Sequence, residues 1–154
     1  MNMSQTTNQL PAPDTLSALI LTFTALSGEL PAALIRRLPG SGSYVEYAVK
    51  RLKRDNLLRT FYRDGLRGLR LTAAAKKLLL TAYPDRFSPY LTGHIETNEL
   101  KGEITRRLRL HRMAEVLLTM YNAGVSSFPW EKPAVFQPKP PPPDLSFERP
   151  AYFT

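Results

Sequence analysis

The spacing of apolar residues predicts that the chain opens with a polar arm and a first helix. Residues 1–13 are mostly polar and contain two prolines, so we predict a mobile arm. Asp14 is a residue type that caps helix starts. The apolar positions that follow it recur at helical intervals, namely Leu16, Leu19, Ile20 and Phe23. The pair Ser27-Gly28 is expected to end this helix.

Two more helices are predicted on either side of a tight break. Pro31 suits the first position of a short second helix. Residues 39–42 (PGSG) then force a turn. Ser43 and Glu46 have the spacing of a capping box, which predicts a third helix that runs to about Asp55.

The pattern after the third helix predicts a β-hairpin and a closing helix. Strand-prone apolar and aromatic residues precede Asp64-Gly65, which is a turn signal. Leu69 and Leu71 alternate with Arg70, as a half-buried strand requires. Thr72 is expected to cap a helix over residues 73–82. Residues 14–83 are therefore predicted to form one mainly α domain with a small β-hairpin.

Three segments follow this domain. Residues 84–97 contain Pro84, Pro89 and Gly93 and are predicted to be a connector. Residues 98–124 have the apolar spacing of a long helix that ends at a glycine. Its wide apolar face is expected to join two copies of the chain in a homodimer or, as the alternative, to pack on its own domain.

The last segment, residues 125–154, is a proline-rich tail. Eight of the fourteen prolines lie within twenty-two residues of it, so extended polyproline II is the expected conformation. The tail is either a linker or an arm that docks on its own domain or on a partner.

The composition excludes several classes of site. The 154 residues include no cysteine, which rules out disulfides, thiolate metal sites and a cysteine nucleophile. His94 and His111 have too few ligand-type neighbours to form a metal site, and no cofactor motif is present. The N-terminus lacks the pattern of a secretory signal and no apolar stretch is long enough to span a bilayer, so we expect a cytoplasmic protein with no membrane partner.

The positive charge is concentrated where the short helices and the hairpin are predicted. The chain has a formal charge of +8, which favours nucleic acid as the partner ahead of an anionic membrane surface. Residues 36–77 contain twelve Lys or Arg against three carboxylates, a net +9. More than the charge of the whole chain therefore lies in this segment.

A helical wheel of the third helix separates an apolar arc from a cationic and aromatic face. The arc contains Val45, Ala48, Val49 and Leu52. The opposite face and its flank contain the candidate DNA-contacting residues Ser43, Tyr44, Tyr47, Lys50, Arg51 and Arg54. Tyr44 is equally consistent with a position at the rim of the core. A purely solvated basic face is the alternative for the cations.

The hairpin adds three candidate DNA-contacting arginines, Arg63, Arg67 and Arg70. Arg67 lies at the predicted tip, between Asp64-Gly65 and Gly68, where it would reach a phosphate or the minor groove. The long helix contains further cations that either extend this DNA footprint or form a solvated side, namely Arg106, Arg107, Arg109 and Arg112 with His111. For His111, a surface or hydrogen-bonded role is favoured over metal binding.

Residues 14–83 resemble a winged helix-turn-helix domain of the bacterial regulator type. The resemblance rests on the sequences LPAALIRRLPGSGSYVEYAVKRLKRDNLL and RTFYRDGLRGLRLTAAAKKLL. It implies that the helix after the tight turn enters the major groove and that the hairpin, or wing, contacts the backbone or minor groove. It covers about half of the chain.

A second resemblance is to the N-terminal region of the replication-relaxation proteins of mobile genetic elements. Those proteins begin with a similar winged helix followed by an arginine-rich helical segment, here RRLRLHRMAEVLLTMYNAG. Many of them extend well beyond 154 residues, so the resemblance implies that this chain is a fragment or a shortened form.

Together these observations predict a sequence-specific protein that binds double-stranded DNA. Its expected role is transcription regulation, or an accessory role in plasmid replication or in the transfer of a mobile element. The alternative is a winged-helix interaction module that binds an acidic protein partner. Catalytic motifs are absent and the carboxylates are dispersed, so no enzymatic activity is expected.

Overall fold

The computed structural model describes residues 9–92, 103–125 and 128–131, and this part of the chain is mostly helical with a small three-stranded antiparallel sheet. Its α-helices are α1 (Leu16–Ser27), α2 (Gly42–Arg54), α3 (Ala73–Ala82), α4 (Pro84–Leu91) and α5 (Ile104–Asn122). Its strands are β1 (Leu30–Pro31), β2 (Leu58–Arg63) and β3 (Leu66–Leu71). Two short 3-10 helices cover Ala32–Arg37 and Pro129–Glu131.

The starts of the helices differ slightly from prediction. Thr15 rather than Asp14 caps α1, because its hydroxyl accepts a hydrogen bond from the Ala18 amide. Ser41 rather than Ser43 caps α2, which places Ser43 in the first helical turn. Thr72 caps α3 as predicted and accepts from the Ala75 amide at 3.1 Å.

The predicted second helix is a 3-10 helix, Ala32–Arg37. Pro31 and Pro39 limit this segment to about two helical turns, and 3-10 helices are frequent in such short pieces. The segment still buries Leu34. It is also bound to α5, since Arg37 Nη2 donates to Thr119 Oγ1 at 2.9 Å and the Asn122 side chain donates to the Arg37 carbonyl oxygen at 3.0 Å.

The predicted hairpin is present and is joined by a third strand that the pattern did not reveal. Asp64 and Gly65 have φ of 55° and 75°, the left-handed values of a two-residue turn that matches strand twist. Strand β3 lies in the centre, paired with β2 on one side and with β1 on the other. Because β1 contains only two residues, it is too short to show an alternating pattern.

Residues 84–91 of the predicted connector form helix α4. Pro84 occupies the first helical position, where its missing N–H costs nothing. Pro89 follows on the exposed side, and the helix is held by Phe87, which is buried against Tyr83 and Trp130. Burial of Phe87 thus offsets the helix-breaking tendency of Pro89. Residues 93–97 of the connector lie outside the described part of the chain.

Helix α5 packs on its own domain, against α1. Ala114 and Leu118 are fully buried there, and Phe23 of α1 lies edge-on to Tyr121 at 5.4 Å. Of the two predicted roles for the long helix, packing on its own domain is therefore observed for Ile104–Asn122. Residues 98–102 lie outside the described ranges, and contact with a second copy stays a prediction.

The two ends of the described chain pack against the core, which differs from the predicted mobile arm but agrees, over residues 128–131, with the alternative that the tail docks on its own domain. Leu10, in the predicted mobile arm, packs against the core. Phe128, in the predicted extended tail, is buried and stacks on Trp130 at 5.2 Å. The arm up to residue 8 and the tail from residue 132 are not described. None of the helices in the described ranges combines the length and apolar character needed to cross a bilayer.

Candidate nucleic-acid interface

The division of α2 into two faces is confirmed. The apolar arc lies inward, and Val45 and Leu52 are each only 2% exposed. All six predicted candidates on this helix are exposed, namely Ser43, Tyr44, Tyr47, Lys50, Arg51 and Arg54. The helix is therefore anchored by its apolar side and presents a cationic and aromatic surface to solvent.

The two tyrosines of this surface lie outside the core. Tyr44 is 54% exposed and Tyr47 is 55% exposed. More than half of Tyr44 is exposed, so this residue can contact a ligand even where part of its ring packs at the rim of the core. A tyrosine hydroxyl beside cations is suited to hydrogen bonding with phosphate or sugar oxygens.

Most of the charge on α2 is not neutralised within the fold. Arg51 approaches Asp55 at 3.9 Å, but the pair is exposed and contributes little. Lys50 and Arg54 form no ion pair with any residue that the structure describes. Their charges are available to a polyanion.

The hairpin presents two of its three candidate arginines to solvent. Arg67 is exposed and its guanidinium lies 5.3 Å from the ring centroid of Tyr62, a cross-strand neighbour that is itself 64% exposed. Arg63 is also exposed and lies 3.7 Å from Asp64. The hairpin tip therefore carries cations and one aromatic ring at its surface.

Arg70 differs from the other eight candidates. Its Nε donates to Glu29 Oε1 at 2.7 Å, and its guanidinium lies 3.8 Å from the Phe61 ring centroid. Only 12% of its side chain is exposed. It is engaged inside the fold, so it does not belong to the exposed cationic surface.

A buried ionic cluster around Glu29 fixes the position of the hairpin. Glu29 and Arg107 are both fully buried, and Arg107 Nη2 donates to Glu29 Oε2 at 3.0 Å. Arg70 donates to the same carboxylate, and His111 Nε2 does so as well. One carboxylate between α1 and β1 thus binds side chains from β3 and α5.

Arg107 also binds the backbone of the hairpin directly. Its guanidinium donates to the carbonyl oxygens of Arg63 at 2.8 Å, Leu66 at 2.8 Å and Phe61 at 3.3 Å. These carbonyls flank the Asp64-Gly65 turn. The prediction that Arg107 is a DNA contact or a solvated side chain is therefore wrong, because this side chain connects α5 to the hairpin. His111 is hydrogen-bonded, as expected.

The cluster keeps Glu29 ionised. Burial raises the pKa of this carboxyl, but hydrogen bonds from His111, Arg107 and Arg70 outweigh burial and lower the pKa from 4.5 to about 2. Gly68 makes room for the carboxylate, since a Cβ at that position would collide with the Glu29 carboxyl group. Among sequence signals, only the glycine inside a strand and the Arg107–His111 spacing on one helix face point to this arrangement.

Comparisons with models of known protein families, with curated proteins and with solved structures found no match to this chain. In the described part of the chain, no three histidine or carboxylate side chains are placed to hold a metal ion. The interface therefore has to be interpreted from its own chemistry.

Proposed function

We propose that this chain is a winged helix-turn-helix protein that binds double-stranded DNA, with α2 as the recognition helix and the β2–β3 hairpin as the wing. The order of elements supports it: a helix, a short strand, a helical turn, a second helix, a hairpin and a third helix. The observation that carries the proposal is the exposure of Lys50, Arg54 and Tyr47 on a helix whose opposite side is buried.

In the proposed complex, α2 enters the major groove with its N-terminal end toward the bases. Tyr44 and Tyr47 contact sugar, phosphate or base edges, and Lys50 and Arg54 bind phosphates or guanine acceptors. Arg67 of the wing contacts the backbone. The Glu29 cluster holds this wing against α5, so the wing meets DNA as a rigid element and loses little conformational entropy on binding.

The proposed biological role is that of a sequence-specific regulator, or of an accessory protein in the replication or transfer of a mobile element. Both roles need the same physical activity, which is tight and salt-dependent duplex binding. Neutralising several phosphates makes affinity fall by orders of magnitude between about 50 mM and about 200 mM salt.

The test is fluorescence anisotropy with a labelled random duplex, titrated at low and then at moderate salt. Replacing both Lys50 and Arg54 by alanine is expected to weaken binding by about tenfold or more, because each contact contributes about 1 kcal/mol or more. The matched control compares Lys50→Ala with Lys77→Ala, an exposed lysine in the middle of α3.

The Lys77→Ala variant is expected to keep the wild-type affinity for the duplex. The Lys50→Ala variant is expected to bind the duplex more weakly, and the slope of its log affinity against log salt should be smaller by about one. Absence of duplex binding by the wild-type chain at low salt would refute the proposal and favour the acidic protein partner. An affinity of the double variant within about twofold of wild type would show that α2 is not the contacting face.

A further inference from the structure

A second cationic site lies on the opposite face of the hairpin from Tyr62 and Arg67. A cavity of about 400 Å³ opens between the hairpin, the end of α1, and helices α3 and α4. Its walls combine apolar residues such as Leu91 with the phenol of Tyr90. This volume is in the range of sites that hold small organic molecules.

Among the residues that the structure describes, three cationic side chains and no carboxylate line this cavity. They come from three elements: Arg59 from β2, Arg70 from β3 and Lys76 from α3. Arg59 and Arg70 are direct partners in the antiparallel register, an arrangement in which like charges repel. Arg70 is bound to Glu29, but Arg59 and Lys76 have no carboxylate partner among the residues that the structure describes.

The neighbouring positive charges affect the pKa of Lys76. Its pKa is lowered, first by burial and then by repulsion from Arg59 and Arg70. The positive charges of Arg59 and Arg70 therefore repel the ammonium of Lys76. An anion bound between them would relieve this repulsion and replace the hydration that Lys76 has lost.

We propose that this cavity binds a small organic anion through a phosphate or carboxylate group held between Arg59 and Lys76. The planar guanidinium of Arg59 suits two-point binding of an oxyanion, and the Lys76 ammonium supplies a compact second charge. Tyr90 and Leu91 of α4 face the non-ionic part of the ligand. None of the eight residues of the proposed DNA interface lines this cavity, so the site is separate from it.

The experiment is isothermal titration calorimetry of the full chain with inorganic phosphate and with phenyl phosphate. The variant Lys76→Met keeps the aliphatic part of the side chain and removes the charge, and Arg59→Gln does the same on β2. The matched control is Lys77→Met, which makes the same charge change at an exposed neighbouring position outside the cavity.

Wild type and the Lys77 variant are expected to bind phenyl phosphate more tightly than phosphate, because the ring occupies the apolar wall. Lys76→Met and Arg59→Gln are expected to lose about tenfold or more in affinity, as expected for loss of a charge-assisted hydrogen bond. Equal losses in the Lys76 and Lys77 variants, or no saturable binding by folded wild type, would overturn the proposal.

Duplex DNA is the other source of phosphate, and the anisotropy assay distinguishes it. Duplex affinity unchanged in Lys76→Met supports a separate small-molecule site. A loss of duplex affinity that matches the loss of phosphate affinity would assign the cavity to the DNA backbone and overturn the proposal. Thermal unfolding of each variant verifies that it is folded.

Discussion

Replacing Arg107 by methionine removes the guanidinium that connects α5 to the hairpin and leaves a long unbranched side chain in its place. The change breaks the buried pair with Glu29 and deprives three hairpin carbonyls of a donor. Removal of one partner from a buried ion pair costs about 3–5 kcal/mol. Arg70 and His111 still compensate Glu29, so we expect a free energy of unfolding about 3 kcal/mol below that of wild type.

The assay is urea unfolding followed by circular dichroism at neutral pH. The matched control is Arg109→Met, which makes the same substitution at an exposed position two residues further along α5. The control is expected to stay within about 0.5 kcal/mol of wild type. A loss below about 1 kcal/mol for the Arg107 variant would refute the view that this cluster holds the hairpin in place.

Three further predictions concern the pH dependence of stability, the glycine beside Glu29 and the outward face of α5. The pKa of Glu29 is about 2 in the folded protein and its ordinary value is 4.5. The ionised carboxylate therefore contributes fully to the stability of the fold above pH 4.5, and this contribution is lost as the pH falls toward 2. Urea unfolding at a series of pH values should show the loss, and the Glu29→Gln variant should show a flatter dependence of stability on pH. Gly68→Ala should destabilise the fold by about 1–3 kcal/mol in thermal or urea unfolding. The control Gly42→Ala should leave stability unchanged, because its Cβ would meet no neighbour among the described residues. Equal effects of the two substitutions would contradict the close approach of Glu29 to Gly68. If residues 98–124 join two copies, light scattering should give the mass of a dimer and Met113→Glu, on the outward face of α5, should give a monomer; a monomeric wild type would exclude this role.

Local signals were sufficient for the elements that form the proposed interface. The 3.6-residue spacing of Val45, Val49 and Leu52 placed the inward side of α2, and its exposed cations followed from that placement. Asp64-Gly65 identified the hairpin turn, since few other residue pairs adopt left-handed values at both positions. Such features involve residues close in sequence, so they can be predicted from periodicity and residue type.

Features that depend on distant residues could not be predicted in this way. Residues 84–91 contain two prolines but form helix α4, because Phe87 packs against the ring of Trp130. Arg70 lies in a half-exposed strand, but its guanidinium donates a hydrogen bond to Glu29 and does not face solvent. In each case a tertiary contact outweighed the local pattern, which contains no information about the partner.

The sequence by itself determined helices α1, α2, α3 and α5, the hairpin with its turn and the cationic face of α2, because short-range sterics and the burial of apolar residues decide them. It did not predict strand β1 or helix α4. Only the tertiary structure decided which charges are buried. Glu29 and Arg107 lie 78 residues apart, and nothing local in either segment shows that burial will pair them. A charged side chain is buried only where the fold supplies its partners, so its location is a property of the folded molecule.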